Sequence, residues 1–173
     1  MKKLLHINAA ARGEASRTLA LAQTEIERIC RADPEYEVEE VNLYRNPPAF
    51  VDANTIACRD AGVKAGDFSH PVFAEALRFR DADYIVVTAP YWDLSFPAIL
   101  KAYLESVSIA GVTFEYTPSG GRGKCKAKGF SYLTTAGGTI GDNDFGWQYV
   151  NGLFSVLFGI GGGKRIAREN LDL

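Results

Sequence analysis

Apolar and polar positions along the chain follow two different periods. Residues 3–7 and 84–88 are short, mostly apolar runs, and such runs predict strands that are buried on both faces of a parallel sheet. From Ser16 onward, apolar side chains recur every three to four positions as far as Asp33 and Pro34, which predicts an amphipathic helix followed by a stop signal. Residues 37–43 alternate between polar and apolar side chains, which predicts an edge-exposed strand.

The same succession of elements continues to the end of the chain. Residues 72–81 predict a short helix, and an apolar stripe that stops before Gly111 predicts the next one. A fourth strand is predicted at residues 129–134, a fourth main helix at residues 147–158, and a brief fifth strand at residues 165–167. Strands that alternate with helices predict an α/β fold with a doubly wound parallel sheet in the order 2-1-3-4-5.

Two stretches rich in glycine interrupt this succession. Residues 44–67 also contain two prolines and predict a long excursion with one helical turn near residues 54–59. Residues 119–128 combine glycines with basic side chains. They predict a mobile loop after a short extended piece at residues 113–116.

Length and composition limit the classes of protein. The chain has 173 residues, so we expect residues 1–173 to form a single domain. A net charge of −2 without a dense basic block argues against a nucleic-acid partner. No apolar run approaches the roughly 20 residues that cross a bilayer, and we find no signal peptide, so we expect a cytoplasmic protein without a membrane partner. Three widely spaced cysteines and two histidines argue against a disulfide framework and a metal site.

The first candidate binding loop follows the first predicted strand. It lacks the G-x-G-x-x-G of dinucleotide-binding folds but carries Arg12, Ser16, Arg17 and Thr18 at the start of a helix. Backbone amides, the helix dipole and two hydroxyls suit a terminal phosphate monoester, to which an arginine adds a charge-assisted contact. A simple N-cap is the commoner role of a serine at position 16, and capping is compatible with phosphate binding.

Two further loops follow the third and fourth predicted strands. Pro90, Tyr91, Trp92 and Phe96 place aromatic surface beyond the third strand, before a helix start that Ser95 and Pro97 indicate. Glycines at positions 137 and 138 would let backbone amides approach the edge of a ligand. Packing of the aromatic side chains and a plain tight turn explain either loop equally well in isolation. A phosphate site, an aromatic loop and a glycine loop at one sheet edge together favour a flavin.

The motifs in these loops resemble those of the FMN-dependent NAD(P)H azoreductase and quinone reductase family. The resemblance covers about residues 2–171. It is carried by Arg12 with residues 16–18, by residues 89–94 followed by 100–104, by residues 110–117 and by residues 134–138. It implies a flavodoxin-like three-layer sandwich with a five-stranded parallel sheet.

The resemblance also implies roles for individual residues. Those at the FMN phosphate would be Arg12, Ser16, Arg17 and Thr18. Those along the isoalloxazine would be Pro90, Tyr91, Trp92, Asp93 and Leu94, and those at its pyrimidine edge Thr135, Ala136, Gly137 and Gly138. Trp92 and Tyr116 would line the substrate side. The implied reaction is hydride transfer from NAD(P)H through flavin N5 to quinones, azo compounds or free flavin. It takes place in a homodimer and requires no catalytic side chain.

One residue departs from the family pattern, and one predicted strand is unusual for a sheet interior. Relatives often carry Asn where this chain has Asp93, and a carboxylate there could lower the reduction potential of the ring. The fifth predicted strand is unusually polar, which indicates an exposed edge or one completed by a partner. Two other functions stay open: a flavodoxin-like electron carrier, against which the net charge of −2 argues because such carriers tend to be strongly acidic, and a flavin-free binding module.

Overall fold

The structure is a computed structural model that describes all 173 residues. Its elements, in chain order, are β1 (Lys2–Asn8), α1 (Arg17–Ala32), β2 (Tyr36–Asn42), α2 (Ala53–Ala65), α3 (Ala74–Asp81), β3 (Tyr84–Thr88), α4 (Ala98–Val107), β4 (Phe114–Thr117), β5 (Gly120–Gly123), β6 (Phe130–Thr135), α5 (Phe145–Gly152) and β7 (Gly163–Arg168). Five strands pair in parallel in the order β2-β1-β3-β6-β7. The predicted α/β fold and its 2-1-3-4-5 order are confirmed.

Helices cover both faces of this sheet, because side chains along each strand point alternately to opposite sides. On one face, Leu4, Val86 and Leu133 pack against Ala22 and Ile29 of α1. On the other face, a larger core joins the strands to α3, α4 and α5. Its centre is a cluster of aromatic rings contributed by Phe79, Phe130, Phe154 and Phe158. The chain therefore forms three layers. No helix is both long enough and apolar enough to cross a bilayer.

The segment predicted as an excursion with one helical turn contains α2, a helix of 13 residues. Asp52 caps its start by accepting a hydrogen bond from the Thr55 amide at 2.8 Å, and Gly66 ends it in the left-handed conformation at φ +67°. Most of its side chains are exposed. The prediction was wrong because a helix with little apolar surface to bury shows no apolar stripe in the sequence.

The glycine-rich segment predicted as a mobile loop contains β5, which pairs with β4 in an antiparallel hairpin. A Cβ atom on Gly123 would lie 2.1 Å from the carbonyl carbon of Phe158. The hairpin therefore packs directly on the backbone that follows α5, and Gly123 permits that approach. The sequence concealed this strand because glycines carry no apolar alternation.

The fifth strand of the sheet, β7, is longer than the brief strand predicted for it. It has six residues and pairs with β6 along its whole length, at the edge of the sheet. Lys164 lies 3.3 Å from the buried carboxylate of Glu25 in α1, and Arg165 lies 2.7 Å from that of Asp144 at the start of α5. Its polar character is therefore explained by ion pairs to both helical layers.

Candidate cofactor site

Three loops meet at the carboxyl edge of the sheet and surround a cleft of about 160 Å³. Its walls come from the loop after β1, the loop after β3 and the loop after β6. Most of the residues predicted from the sequence line it: Arg12, Ser16, Arg17, Thr18, Pro90, Tyr91, Trp92, Thr135, Ala136 and Gly137. Asp93, Leu94, Gly138 and Tyr116 do not line it. Tyr116 instead lies on the β4–β5 hairpin, where it is 78% exposed.

The start of α1 forms one end of the cleft. Ser16 is the N-cap of this helix, and its Oγ accepts a hydrogen bond from the Leu19 amide at 3.2 Å. The commoner role of such a serine is therefore confirmed. Its hydroxyl proton stays free to be donated, because a hydroxyl both accepts and donates. The amides of Arg17 and Thr18 lie in the first turn, where no intrahelical carbonyl can reach them, so an anion can bind there.

Thr18 connects this helix to the third loop. Its Oγ1 lies 2.6 Å from Oγ1 of Thr135, and both side chains are buried. One of the two hydroxyls donates to the other, so the pair retains a single proton for a ligand. The two threonines therefore hold the first and third loops together as well as lining the cleft.

The two arginines of the first loop differ in their partners. Arg12 is exposed and forms no ion pair within the chain. Arg17 donates from Nη2 to Asp172 Oδ1 at 2.6 Å and from Nη1 to the Leu171 carbonyl at 2.8 Å. Asp172 thereby becomes a wall of the cleft. Asp172 was not predicted from the sequence, because no motif marks the residues after β7 and Asp172 is far from the first loop in the chain.

The residues after β7 run alongside the third loop. The amide of Asn170 donates to the Gly138 carbonyl at 3.0 Å, and that of Asp172 donates to the Gly137 carbonyl at 3.0 Å. A Cβ atom on Gly137 would lie 2.1 Å from Asp172 Oδ2. Glycine at position 137 therefore lets the Asp172 carboxylate approach closely, and a larger residue there would displace that side chain.

The aromatic loop is a strained tight turn. Trp92 and Ser95 exchange backbone hydrogen bonds at 3.0 and 2.7 Å, and between them Asp93 and Leu94 have φ angles of +50° and +64°. Two consecutive positive φ angles are typical of a type I′ turn, and each costs a non-glycine residue about 1 kcal/mol. The helix start that Ser95 and Pro97 indicated lies later than predicted, because Ser95 belongs to the turn and α4 begins after Pro97 without a side-chain cap.

The start of α5 holds this turn in place. The Phe145 amide donates to the Leu94 carbonyl at 3.1 Å, and the Tyr91 hydroxyl donates to the Asn143 carbonyl at 3.1 Å. Strained backbone of this kind persists only where surrounding contacts fix it, and it is found mostly at functional sites. The turn leaves Trp92 and Leu94 about half exposed at the rim of the cleft.

A buried polar cluster lies beneath the turn. Asp144 caps α5 through the Trp147 amide at 2.8 Å and pairs with Arg165 Nε at 2.7 Å. The Tyr132 hydroxyl and Thr134 Oγ1 are buried nearby without a partner in the chain. Burial raises the pKa of Tyr132 well above its usual range, so its phenol stays neutral. This cluster links β6 and β7 to the helix that holds the turn.

His6 lies in β1 outside the cleft. Its Nε2 is 2.8 Å from Thr88 Oγ1, and the ring is buried. Burial lowers the pKa of His6 to about 4, which the carboxylate of Glu40 partly opposes. The imidazole is therefore neutral at neutral pH.

The chain is similar to known proteins in both sequence and fold. A family model described as a flavodoxin-like fold matches residues 2–160. An FMN-dependent NADH:quinone oxidoreductase of Clostridium acetobutylicum is 34% identical over 179 residues, covering 100% of this chain and 88% of the relative. The chain belongs to this flavodoxin-like family. The resemblance seen in the sequence motifs is confirmed.

One more relative and two solved structures are also similar to the chain. An FMN-dependent NADH:quinone oxidoreductase of Coprothermobacter proteolyticus is 34% identical over 182 residues, with 100% of this chain and 89% of the relative covered. An azoreductase structure from Bacillus anthracis superposes with a TM-score of 0.84 at 24% identity, over 99% of this chain and 88% of that one. An FMN-dependent NADH-azoreductase from the same species, in complex with FMN, has a TM-score of 0.80 at 21% identity, over 99% of this chain and 89% of that one. At these identities the two structures show the shared fold.

Proposed function

We propose that this chain is an FMN-dependent NAD(P)H oxidoreductase that reduces quinones, azo compounds or free flavin. One observation carries the proposal: an anion-binding helix start, a strained aromatic turn and a glycine loop meet in a single cleft at the carboxyl edge of the sheet. Relatives of 34% identity that are named FMN-dependent NADH:quinone oxidoreductases support it.

The donors of the cleft fit FMN. The phosphate would be held by the first amides of α1 together with Arg12, Ser16, Arg17 and Thr18. The ring would lie along Pro90, Tyr91 and Trp92, with Asp93 and Leu94 in the turn outside the cleft wall. Its pyrimidine edge would lie at Thr135, Ala136 and Gly137, next to Gly138. When bound, FMN supplies a hydride acceptor at N5, and the protein supplies position and electrostatics. The amides of Gly137 and Gly138 donate to no carbonyl of the chain, so they are free to face a developing negative charge.

No side chain of the cleft has to move a proton for this chemistry. His6 is buried in β1, and the Tyr132 phenol is held neutral beneath the turn. The side chains of the cleft therefore bind and orient the cofactor and substrate. The charged residues that line the cleft are Asp172, Arg12 and Arg17, and they lie where the phosphate would bind.

We also infer that the chain acts as a homodimer. The cleft is smaller than the ~300–1,000 Å³ of most small-molecule sites, and half-exposed Trp92, Leu94 and Phe145 extend an apolar surface from its rim. A second copy on this surface would enlarge the binding site and bring Tyr116 to the substrate side. The cytoplasmic location stays a prediction from the sequence.

The visible absorption spectrum of the purified protein tests the proposal, recorded before and after anaerobic addition of NADH and then NADPH. FMN is supplied if the protein is colourless. Flavin bands that bleach with either nucleotide would support the reductase and identify its donor. Flavin that binds without bleaching would indicate an electron carrier. Refusal of FMN would indicate a flavin-free module and overturn the proposal.

A further inference from the structure

Asp172 brings a negative charge to the place where the phosphate would bind. Its Oδ1 lies 2.6 Å from Arg17 Nη2 on the first loop, and its Oδ2 lies 2.1 Å from the position that a Cβ atom on Gly137 would take. The carboxylate therefore pairs with Arg17 and lies directly beside Gly137 of the third loop. No sequence motif of the site includes it, and the proposed function does not require it.

We propose that Asp172 is a specificity-determining residue for the cofactor, because its carboxylate pairs with the Arg17 guanidinium to which the phosphate of FMN would bind. This inference rests on the proposed function. Binding of FMN then exchanges one anion on Arg17 for another, whereas riboflavin, which has no phosphate, leaves the Asp172–Arg17 pair intact. Asp172 therefore sets how strongly the protein prefers FMN to riboflavin.

The exchange is feasible because the ion pair is accessible to solvent. The side chains of Arg17 and Asp172 are 47% and 64% exposed, and pairs of this kind are weak and screened by salt. A phosphate dianion offers more charge and more acceptor oxygens, and the first amides of α1 also donate to it. The phosphate of FMN therefore displaces the Asp172 carboxylate from Arg17. The competition lowers the affinity of the protein for FMN.

The contacts that hold this segment on the third loop do not use the Asp172 side chain. The Asp172 amide donates to the Gly137 carbonyl, and the Leu171 amide donates to the Ala136 carbonyl. The carboxylate can therefore rotate away while the backbone stays in place. Asp172→Asn removes the charge, retains the size of the side chain and leaves these backbone hydrogen bonds available.

The experiment measures dissociation constants for FMN and for riboflavin, by fluorescence titration of the flavin-free full chain. It compares the wild type, Asp172→Asn and the matched control Asp60→Asn, which removes an exposed carboxylate on α2 that forms no ion pair. We expect Asp172→Asn to bind FMN about 2- to 5-fold more tightly with riboflavin affinity unchanged, and Asp60→Asn to change neither. The gain in Asp172→Asn should shrink when Arg17→Met is also present, because the competition for Arg17 is then absent.

The outcomes separate this inference from the proposed function. Equal FMN affinity in the wild type and Asp172→Asn would overturn the role of Asp172 and leave the cofactor assignment standing. Weaker binding of both flavins by Asp172→Asn would show that Asp172 is a structural wall, which also overturns it. A wild type that binds neither flavin would overturn both the inference and the function on which it rests.

Discussion

Oγ1 of Thr18 and Oγ1 of Thr135 lie 2.6 Å apart in the interior, although 117 positions separate them in the chain. The contact joins the first turn of α1 to the end of β6. Two of the three loops around the cleft are therefore joined by a direct hydrogen bond. Thr18 is almost fully buried, so its hydroxyl contributes to the structure as well as to the proposed phosphate site.

Thr18→Val should lower the free energy of unfolding by about 1 to 2 kcal/mol, because it leaves the Thr135 hydroxyl buried without this partner. Urea denaturation measures the change. Thr18→Val with Thr135→Val removes both hydroxyls and should recover part of the loss. A single variant as stable as the wild type would mean that the hydroxyl contact contributes nothing to the fold.

Two substitutions at Ser16 separate its cap from its contact with a phosphate. Both Ser16→Ala and Ser16→Gly remove the hydroxyl and should weaken FMN binding equally. Ser16→Ala should also lower the free energy of unfolding by about 1 kcal/mol, whereas glycine is tolerated at an N-cap and should cost only a few tenths. Flavin titration and urea denaturation of the same two variants check both statements. Unchanged FMN affinity in both would refute a phosphate contact from Ser16.

His6 should make the stability of the protein depend on pH between about 6.5 and about 4. In this window His6 is protonated in the unfolded state but neutral in the folded state, because burial lowers its pKa from 6.5 to about 4. The stability that follows from a neutral His6 is fully present above pH 6.5. It is lost as the pH falls through the window, so that the free energy of unfolding decreases by roughly 3 kcal/mol in total. Unfolding free energies at about pH 7 and about pH 4.5 should therefore differ more in the wild type than in His6→Gln. Equal differences would contradict the buried neutral imidazole.

Asp144 should contribute to both the stability and the shape of the site. Asp144→Asn keeps a side-chain oxygen for the N-cap of α5 but breaks the ion pair with Arg165, whose side chain is 29% exposed. We expect a loss of about 1 to 2 kcal/mol in unfolding free energy, because the half-buried guanidinium keeps only its longer ion pair with Glu169 at 3.7 Å. Adding Arg165→Met should restore part of that loss. If Arg165→Met does not reduce the loss, the loss comes from the N-cap of α5 and not from the ion pair.

Asp93→Asn should raise the midpoint potential of bound flavin. It removes a negative charge beside an electron-accepting ring, and asparagine tolerates the φ of +50° observed here at least as well as aspartate. The shift is about 30 mV if the charge changes the relative affinity for the two redox states tenfold. Potentiometric titration measures it. An unchanged potential would show that the Asp93 side chain points away from the ring.

Local patterns in the sequence determined the sheet, its order and most of the cleft. The apolar run at Tyr84–Thr88 predicted β3 with its observed bounds, because a strand buried on both faces must be apolar throughout. Carboxyl ends of parallel strands meet at one edge, so residues near Ser16, Trp92 and Gly137 could be assigned to one site before any contact was known. Short-range signals were sufficient for these features.

Only the tertiary structure revealed features that depend on contacts between distant residues. The pairing of β5, the ion pairs that dock β7 and the left-handed turn at Asp93 and Leu94 have no periodic signal, because neighbouring elements stabilise them. Asp172 reaches Arg17 only after β7 has been placed beside β6. The sequence by itself determined which three loops meet at the cleft, and the folded chain determined which charges and hydroxyls face it.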